Sequence, residues 1–283
     1  MSYLHLVILA IVQGFAELLP VSSSAHVIAA AKLMGEHPSD PKFTLLLVML
    51  HTGTMFAVIV YFWRAWRRAF FSSRYAFNKF ALQVVIATGI TGIIGLVLKH
   101  FIEHYMMSHN PQANKAQIED LFDNLSLIAM ALAAAGVLIL ISSLRPLRRG
   151  GRDKLNVVDS VAIGAIQGFC LPFRGFSRSG ATISVGLLRG VSKERAEEFS
   201  FALAVVLTPV VVGREALRLV HDRGTLSVHD FTPSLVGMLF SFIAGLIALK
   251  LLSRVLANGA WWIFGVYCLL AASVVFYMAR SGY

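Results

Sequence analysis

The sequence predicts an all-α, polytopic membrane protein: an inverted-topology repeat with two re-entrant helix-loop-helix hairpins and about six transmembrane spans. The first observation is composition, because 57% of the residues are hydrophobic and only 14% are charged, whereas a typical soluble domain is about 25% charged. The second is the length of the apolar runs, and the third is a motif that recurs in two broken runs. Most of the chain must therefore face lipid or other helices.

Six uninterrupted apolar runs are long enough to cross a bilayer, which takes about 20 residues. They are residues 43–63, 81–98, 125–144, 199–217, 235–252 and 260–279. Each run is predicted to form one transmembrane helix.

Two further apolar stretches are interrupted in the middle. Residues 3–34 are broken at Pro20 by a serine cluster, and residues 157–190 are broken at Pro172 by a loop rich in Gly, Ser and Arg. Each arm is too short to cross the bilayer comfortably, so each stretch is predicted to be a re-entrant hairpin.

The two broken stretches resemble each other. QGFAELLPVSSSAH begins at Gln13, and QGFCLPFRGFSRSGAT begins at Gln167, an offset of 154 residues. A second pair follows at a similar offset, with KFTLLLVMLHTG beginning at Lys42 and EFSFALAVVLTP at Glu198. Order and spacing are both kept, which indicates an internal repeat.

The repeat divides a single integral membrane domain into residues 1–145 and 155–283. The first half contains the hairpin 3–34 and three spans, and the second contains the hairpin 157–190 and three spans. Because three is odd, the second half enters the membrane from the opposite side. In such folds the broken helices meet near the midplane and form the substrate site.

Charge and cysteine content exclude several other classes. The net charge is +10, but the basic residues lie in short connections such as 64–79, which is typical of cytoplasmic loops and not of nucleic-acid binding. The two cysteines have no CxxC spacing, so neither a disulfide framework nor a zinc site is predicted. Gln13 and Glu17 interrupt the first apolar run, and we do not interpret it as a signal peptide.

Glu17 and Arg178 are charges inside the two hairpins. A charge at the centre of a membrane helix costs roughly 2.5 to 3.5 kcal/mol on insertion scales, so it is normally paired or functional. Arg178 lies in a loop whose glycines and hydroxyls suit an anion cradle, which a following helix N-terminus would reinforce. The residues predicted to bind a phosphate there are Gly175, Ser177, Arg178, Ser179 and Thr182. A helix cap with a snorkelling arginine is the competing interpretation.

The loop of the first hairpin carries Ser22, Ser23 and His26 close to Glu17. His26 has the chemistry of a general acid or base. Ser23 is a candidate nucleophile if a base lies within reach, and attack by water is the alternative. Gln13 and Ser22 are added to the residues predicted to bind phosphate, and the sequence leaves open whether His51 lines the site.

Glu17 is the only carboxylate in either broken stretch. One carboxylate does not make an all-protein metal cage, but it can hold Mg²⁺ or Ca²⁺ together with phosphate oxygens of a substrate. We therefore expect a divalent cation at Glu17, shared with the substrate phosphates, where it would neutralise charge on the leaving phosphate.

These motifs resemble the bacterial undecaprenyl-diphosphatases, the bacitracin-resistance type of undecaprenyl-pyrophosphate phosphatase. The family pattern has Glu or Gln, three residues and Glu, then Pro-Val-Ser-Ser ending at His, and later Pro-Gly-x-Ser-Arg-Ser-x-x-Thr. This chain matches it at Gln13, Glu17, Pro20, Val21, Ser22, Ser23 and His26, then at Gly175, Ser177, Arg178, Ser179 and Thr182. One departure is Arg174, which stands where the family has proline.

The resemblance implies hydrolysis of undecaprenyl diphosphate to the monophosphate carrier of cell-wall synthesis, with a divalent metal and a site open to the periplasm. It implies Glu17 in metal binding and catalysis, and Ser23 and His26 in the reaction centre. It further implies Ser177, Arg178 and Thr182 in diphosphate binding. The expected partners are the polyprenyl diphosphate and membrane lipids but no nucleic acid, with a homodimer as an open alternative to a monomer.

A flippase or transporter of a polyprenyl phosphate is the competing function, because inverted repeats with broken helices are a transporter architecture. Transport of an anion needs the cradle but no reactive set such as Glu17, Ser23 and His26. A purely structural scaffold leaves the buried charges unexplained.

The basic connections 64–79, 145–154 and 250–254 are predicted to be cytoplasmic. The first hairpin then enters from the periplasm, and the second enters from the cytoplasm. The expected location is the bacterial inner membrane, with the active site facing the periplasm.

Overall fold

The computed structural model describes residues 2–36, 41–109, 124–144, 151–173, 175–221 and 228–281. Ten helices lie in these ranges. They are α1 (Tyr3–Leu18), α2 (Ser23–Leu33), α3 (Pro41–Ala69), α4 (Arg74–His109), α5 (Leu125–Ser143), α6 (Val157–Cys170), α7 (Arg178–Leu188), α8 (Lys193–His221), α9 (Val228–Ala257) and α10 (Trp262–Arg280). Two short helices followed by three long ones occur twice in this order.

Six of the described helices are long and apolar enough to cross a membrane, which confirms the predicted all-α, polytopic class. They correspond one to one with the six apolar runs. Several extend beyond the apolar run, as α3 does through Arg64, Arg67 and Arg68 to Ala69. Arginine is a good helix former, and cations are favourable at a helix C-terminus. The charged flanks therefore continue each helix out of the apolar layer.

Both interrupted stretches break near the residues that the sequence indicated. The first helix of the first hairpin ends at Leu18, before Pro20, and α2 begins at Ser23. In the second hairpin α6 ends at Cys170, before Pro172, and α7 begins at Arg178. Proline lacks the N–H that would continue the helix, so each hairpin is split into two short arms.

Each hairpin packs against a long helix of the opposite half. The first arm of one hairpin, α1, lies against α9, and the first arm of the other, α6, lies against α4. In addition, α3 packs on α9, and α5 packs on α10. The second arms differ, because α7 is enclosed by α5 and α8 whereas α2 packs mainly on α1. The first hairpin is thus the less enclosed of the two. The division into repeats 1–145 and 155–283, with opposite membrane orientation, stays a prediction.

The basic connections gather at one end of the bundle. Arg68, at the end of α3, lines one cavity with Lys154 and a neighbouring cavity with Ala257, at the end of α9. In addition, Lys193 Nζ donates to the carbonyl of Ala257 at 3.3 Å. The three segments predicted to be cytoplasmic therefore share one face.

Candidate active site

Glu17 occupies the last turn of α1, where its carboxylate accepts hydrogen bonds from three side chains. Gln13 lies one turn earlier, and its Nε2 donates to Glu17 Oε2 at 3.3 Å. Ser23, the first residue of α2, donates its hydroxyl to the same oxygen at 2.6 Å. Arg178, the first residue of α7, donates from Nη2 to Oε1 at 3.0 Å. The carboxylate thus links the loop of one hairpin to the loop of the other.

The ion pair between Glu17 and Arg178 is only partly buried. The side chain of Glu17 is 19% exposed and that of Arg178 is 23% exposed. Its Nη2 contact to Glu17 is the one hydrogen bond of the Arg178 guanidinium within the described part of the chain. Arginine carries five N–H donors in a planar fork, so the remaining donors can bind a phosphate while Glu17 stays bound.

A tight reversal places Ser23 against Glu17. The N–H of Val21 donates to the carbonyl of Leu19 at 2.8 Å, and Ser22 has a φ of 67°. A left-handed φ is uncommon for a residue with a side chain and marks a local constraint. It directs the chain back, so that the first turn of α2 presents the Ser23 hydroxyl to the end of α1.

The second hairpin loop turns at Gly175, whose φ is 109°. A Cβ at this position would lie 2.4 Å from the carbonyl oxygen of Ile128, so both the backbone angle and the space require glycine. Ser177 then caps α7, accepting from the N–H of Gly180 at 3.2 Å. This sharp entry fixes Arg178 as the first helical residue, with its side chain directed at the first hairpin.

The other hydroxyls of this loop bond to the protein itself. Ser179 Oγ donates to the carbonyl of Leu19 at 3.4 Å, which joins the two hairpins. Thr182 Oγ1 donates to the carbonyl of Arg178 at 2.8 Å and contacts Ser200 Oγ on α8. Both residues are buried. These bonds stabilise the first turn of α7, which carries Arg178. The predicted contacts of Ser179 and Thr182 with a diphosphate stay predictions.

His26, on the first turn of α2, contacts the last helix, α10. Its Nδ1 donates to the carbonyl of Ser22 at 2.8 Å, and its Nε2 lies 2.6 Å from the hydroxyl of Tyr267 on α10. A carbonyl only accepts, so Nδ1 carries a proton, and in the neutral ring Nε2 accepts from Tyr267. The two rings also stack, with centroids 5.7 Å apart.

His51 on α3 is brought to the site through Gln13. Its Nδ1 contacts Gln13 Nε2, the same amide nitrogen that donates to Glu17. The amide donates, so His51 accepts at Nδ1. The sequence left the position of His51 open, and the structure places it one hydrogen bond from the Glu17 partner set.

Comparison with known proteins supplies the family. The family model described as "Bacitracin resistance protein BacA" matches residues 6–274. The chain belongs to the BacA family. It is 53% identical to "Undecaprenyl-diphosphatase 2" of Acinetobacter baylyi, with 99% of each chain covered. It is 35% identical to "Undecaprenyl-diphosphatase" of Syntrophotalea carbinolica, with 98% of each covered, and 33% identical to "Undecaprenyl-diphosphatase 1" of Shouchella clausii, covering 98% of this chain and 96% of the relative.

In this BacA-family chain, four of the predicted site residues form one hydrogen-bonded cluster. They are Gln13, Glu17, Ser23 and Arg178. Five of the remaining predicted residues have hydrogen-bond partners inside the protein: Ser22, His26, Ser177, Ser179 and Thr182. The sixth, Gly175, packs closely against the backbone of Ile128. Their roles in binding and catalysis stay predictions. Arg174, the departure from the family pattern, lies outside the described residues.

Tyr267 is the site neighbour that the sequence analysis does not predict. The signal that could have found it is its hydroxyl, since a Tyr O–H within an apolar helix usually needs a hydrogen-bond partner. Its distance of 241 residues from His26 hides the partner in the sequence. Both cysteines, Cys170 and Cys268, are free and buried.

The carboxylate and hydroxyl oxygens at Glu17 fit a hard divalent cation. No cluster of three or more His, Cys, Asp or Glu side chains occurs in the described ranges. The described part of this BacA-family site therefore lacks a set of several carboxylates that could bind a cation without substrate. It offers one carboxylate with a serine hydroxyl and an amide side chain beside it. Mg²⁺ and Ca²⁺ take oxygen ligands, and Mg²⁺ is often held by one carboxylate plus substrate phosphates.

Proposed function

We propose that this protein hydrolyses undecaprenyl diphosphate to undecaprenyl phosphate and inorganic phosphate. Such a reaction recycles the lipid carrier of cell-wall synthesis and confers bacitracin resistance, in agreement with the family description and with the names of the relatives. The observation that supports the proposal most directly is the position of Glu17 between the hydroxyl of Ser23 and the guanidinium of Arg178.

Ser23 is the proposed nucleophile, with Glu17 as its base. The 2.6 Å contact from Ser23 Oγ to Glu17 Oε2 lies within the reach that proton transfer needs. As Oγ gives its proton to the carboxylate, it bonds to the terminal phosphorus, and the bond from that phosphorus to the bridging oxygen breaks. Undecaprenyl phosphate leaves. The oxygen of a water molecule then bonds to the phosphorus, the bond from phosphorus to Oγ breaks, and Oγ regains a proton, which frees inorganic phosphate. Direct attack by water, activated by the same carboxylate, is the competing route.

Arg178 is proposed to bind the terminal phosphate. Its free N–H donors form a fork that matches two phosphate oxygens. The positive end of α7 lies at the same place, which favours an anion further. These contacts would strengthen as negative charge develops on the transferred phosphoryl group. Gln13 positions the carboxylate of Glu17 through the contact one turn earlier on α1.

His26 and Tyr267 are proposed to act on the leaving group. Both are partly accessible at the edge of the first hairpin. A protonated His26 would hold the oxygens of the departing undecaprenyl phosphate, and the neutral ring would accept the hydroxyl of Tyr267 between turnovers. The Tyr267 contact fixes the ring orientation that this role requires.

The proposed cofactor is Mg²⁺ or Ca²⁺, held by Glu17 together with phosphate oxygens of the substrate. When bound, the cation would neutralise charge on the diphosphate. Glu17 is then proposed to have two functions, in cation binding and as a base.

The proposed orientation places the site toward the periplasm of a bacterial inner membrane. Two observations support it. The basic connections share one face, and short basic loops stay in the cytoplasm. The arm α2, which carries Ser23 and His26, is less enclosed than α7, so access from the side of the first hairpin is the more open. The experiment that tests the proposed function is measurement of phosphate release from undecaprenyl diphosphate by the purified protein.

A flippase of a polyprenyl phosphate is the second proposal. The repeated order of short and long helices and the two crossed hairpin-to-helix contacts are features of transporters. The phosphate assay separates the two, because a flippase moves labelled polyprenyl phosphate between the leaflets of a vesicle without releasing phosphate.

A further inference from the structure

A cavity lies at the basic end of the bundle, apart from the cluster around Glu17. Its volume is about 420 Å³, and it is formed by the end of α3, the start of α4, the segment before α6 and the start of α8. It shares no residue with the cluster around Glu17. Along α3, Arg68 is separated from His51 by about 25 Å at 1.5 Å per residue. The two sites are therefore distinct.

The lining of this cavity is strongly basic. Arg68, Lys79, Lys154 and Arg195 line it, against Asp153 as the acidic residue. Arg195 is paired with Glu198. In the part of the chain that the structure describes, Lys79 and Lys154 form no ion pair, and Arg68 reaches only the carbonyl of Arg64 at 3.4 Å. Three cations therefore line one concave surface, in which Asp153 is the acidic residue.

Beneath the charges the cavity is aromatic. Phe70 is buried and stacks on Phe80 with ring centroids 4.0 Å apart. At the rim, the Tyr75 ring and the Ser72 hydroxyl are exposed, and Tyr75 is of the type enriched at membrane interfaces. A cationic rim above an apolar floor is complementary to a ligand with an anionic head and a hydrocarbon neighbour.

The position of the cavity favours a lipid as its ligand. It lies where transmembrane helices leave the apolar layer, beside Phe71 and Phe77, which are 46% and 44% exposed. Basic pockets between transmembrane helices on the cytoplasmic side are suited to the head groups of anionic lipids. A small soluble anion would use the lysines but would not contact the exposed rings of Phe71 and Phe77 beside the cavity.

We propose that this cavity binds the phosphate head group of an anionic glycerophospholipid, with the two lysines and Arg68 on the phosphate and the phenylalanines against the glycerol and first acyl carbons. The site is independent of the proposed hydrolysis. It would anchor the ends of α3, α4 and α8 to the leaflet on the basic face.

Native mass spectrometry of delipidated protein in an uncharged detergent, titrated with phosphatidylglycerol, tests the proposal. The double variant Lys79→Gln/Lys154→Gln should weaken the tightest binding step by about thirtyfold, since each basic residue contributes a similar increment. The matched control is Lys250→Gln/Arg254→Gln, which removes the same charge from the same face outside the cavity. The control should leave that step unchanged, and equal thermal transitions will show that both variants fold.

Unchanged affinity in the cavity variant, or an equal loss in the control, would overturn the site. A second arm replaces the lipid with inorganic phosphate in the same detergent. Binding of phosphatidylglycerol without measurable binding of inorganic phosphate supports the lipid as the ligand. Equal occupancy by inorganic phosphate, lost in the cavity variant, would overturn the lipid assignment in favour of a soluble anion.

Discussion

Replacing Arg178 with alanine removes the ion pair by which the second hairpin reaches Glu17. The 3.0 Å hydrogen bond and the ion pair are lost, together with the donors proposed to bind the terminal phosphate. Removing one charge-stabilising donor from a transition state lowers kcat by about 100- to 1,000-fold. We expect a loss of at least this size in phosphate release from undecaprenyl diphosphate.

The fold should survive this change. Glu17 keeps its bonds from Ser23 and Gln13, and both members of the pair are about one-fifth exposed, so the stability cost should be about 1–2 kcal/mol, between surface and buried pairs. Arg178→Lys keeps the charge but not the fork, and it should also be impaired. Monodisperse elution and a thermal transition close to that of the wild type are the measurements of folding.

Arg189→Ala is the matched control for Arg178→Ala. It lies just after the end of the same helix, α7, and also pairs with a carboxylate, that of Asp159 at 3.2 Å. Asp159 keeps a second arginine, Arg152, at 3.0 Å. The control should therefore retain turnover. Near-normal turnover in Arg178→Ala, or an equal loss in both variants, would refute the assignment of Arg178 to the phosphate.

Three further predictions follow from the geometry. Ser23→Ala should lower phosphate release by at least about a thousandfold if the hydroxyl is the nucleophile, and retention of most of the turnover would favour attack by water. Tyr267→Phe removes the hydrogen bond to His26 while keeping the stacked ring, and should lower turnover by about fivefold; an unchanged rate would restrict Tyr267 to packing. In intact spheroplasts, with both native cysteines replaced, an impermeant thiol reagent should label Ser281→Cys but not Asn258→Cys, and the reverse pattern would overturn the orientation.

The helices and their breaks could be read from the sequence because local signals determine them. Uninterrupted apolar runs specify the spans, and Pro20 and Pro172 specify where the hairpins break. The ends were less predictable, as α8 shows by beginning at Lys193 instead of residue 199. The polar residues before the apolar run continue the helix, which hydropathy alone does not detect.

The members of the Glu17 cluster could also be named from the sequence, because buried charges in a membrane protein need partners. What the sequence could not separate is a hydroxyl that faces a ligand from one that supports the fold. Ser177 is a helix cap, and Thr182 bonds to Arg178 and Ser200. Serine and threonine next to an arginine are compatible with both roles until the helix start is located.

The remaining features of the site depend on contacts between distant parts of the chain, which the sequence does not indicate. In the sequence, Ser23 lies between Glu17 and His26, and either of these residues could activate its hydroxyl. In the structure the Ser23 hydroxyl bonds to Glu17, whereas His26 bonds to Tyr267. This choice depends on the left-handed turn at Ser22, which sets the direction in which α2 leaves the loop. No periodicity in the sequence encodes that direction.

The central claim is that the Glu17 carboxylate, shared between the two hairpins, supports hydrolysis of a lipid diphosphate. Its most direct test is phosphate release from undecaprenyl diphosphate by purified wild-type protein and by Glu17→Gln, each with Mg²⁺ or Ca²⁺ and with excess EDTA. We predict metal-dependent release by the wild type that EDTA abolishes, and at least about a hundredfold slower release by Glu17→Gln at saturating cation. Full activity of the wild type in EDTA would contradict the cation role, and wild-type turnover by Glu17→Gln would contradict the site itself.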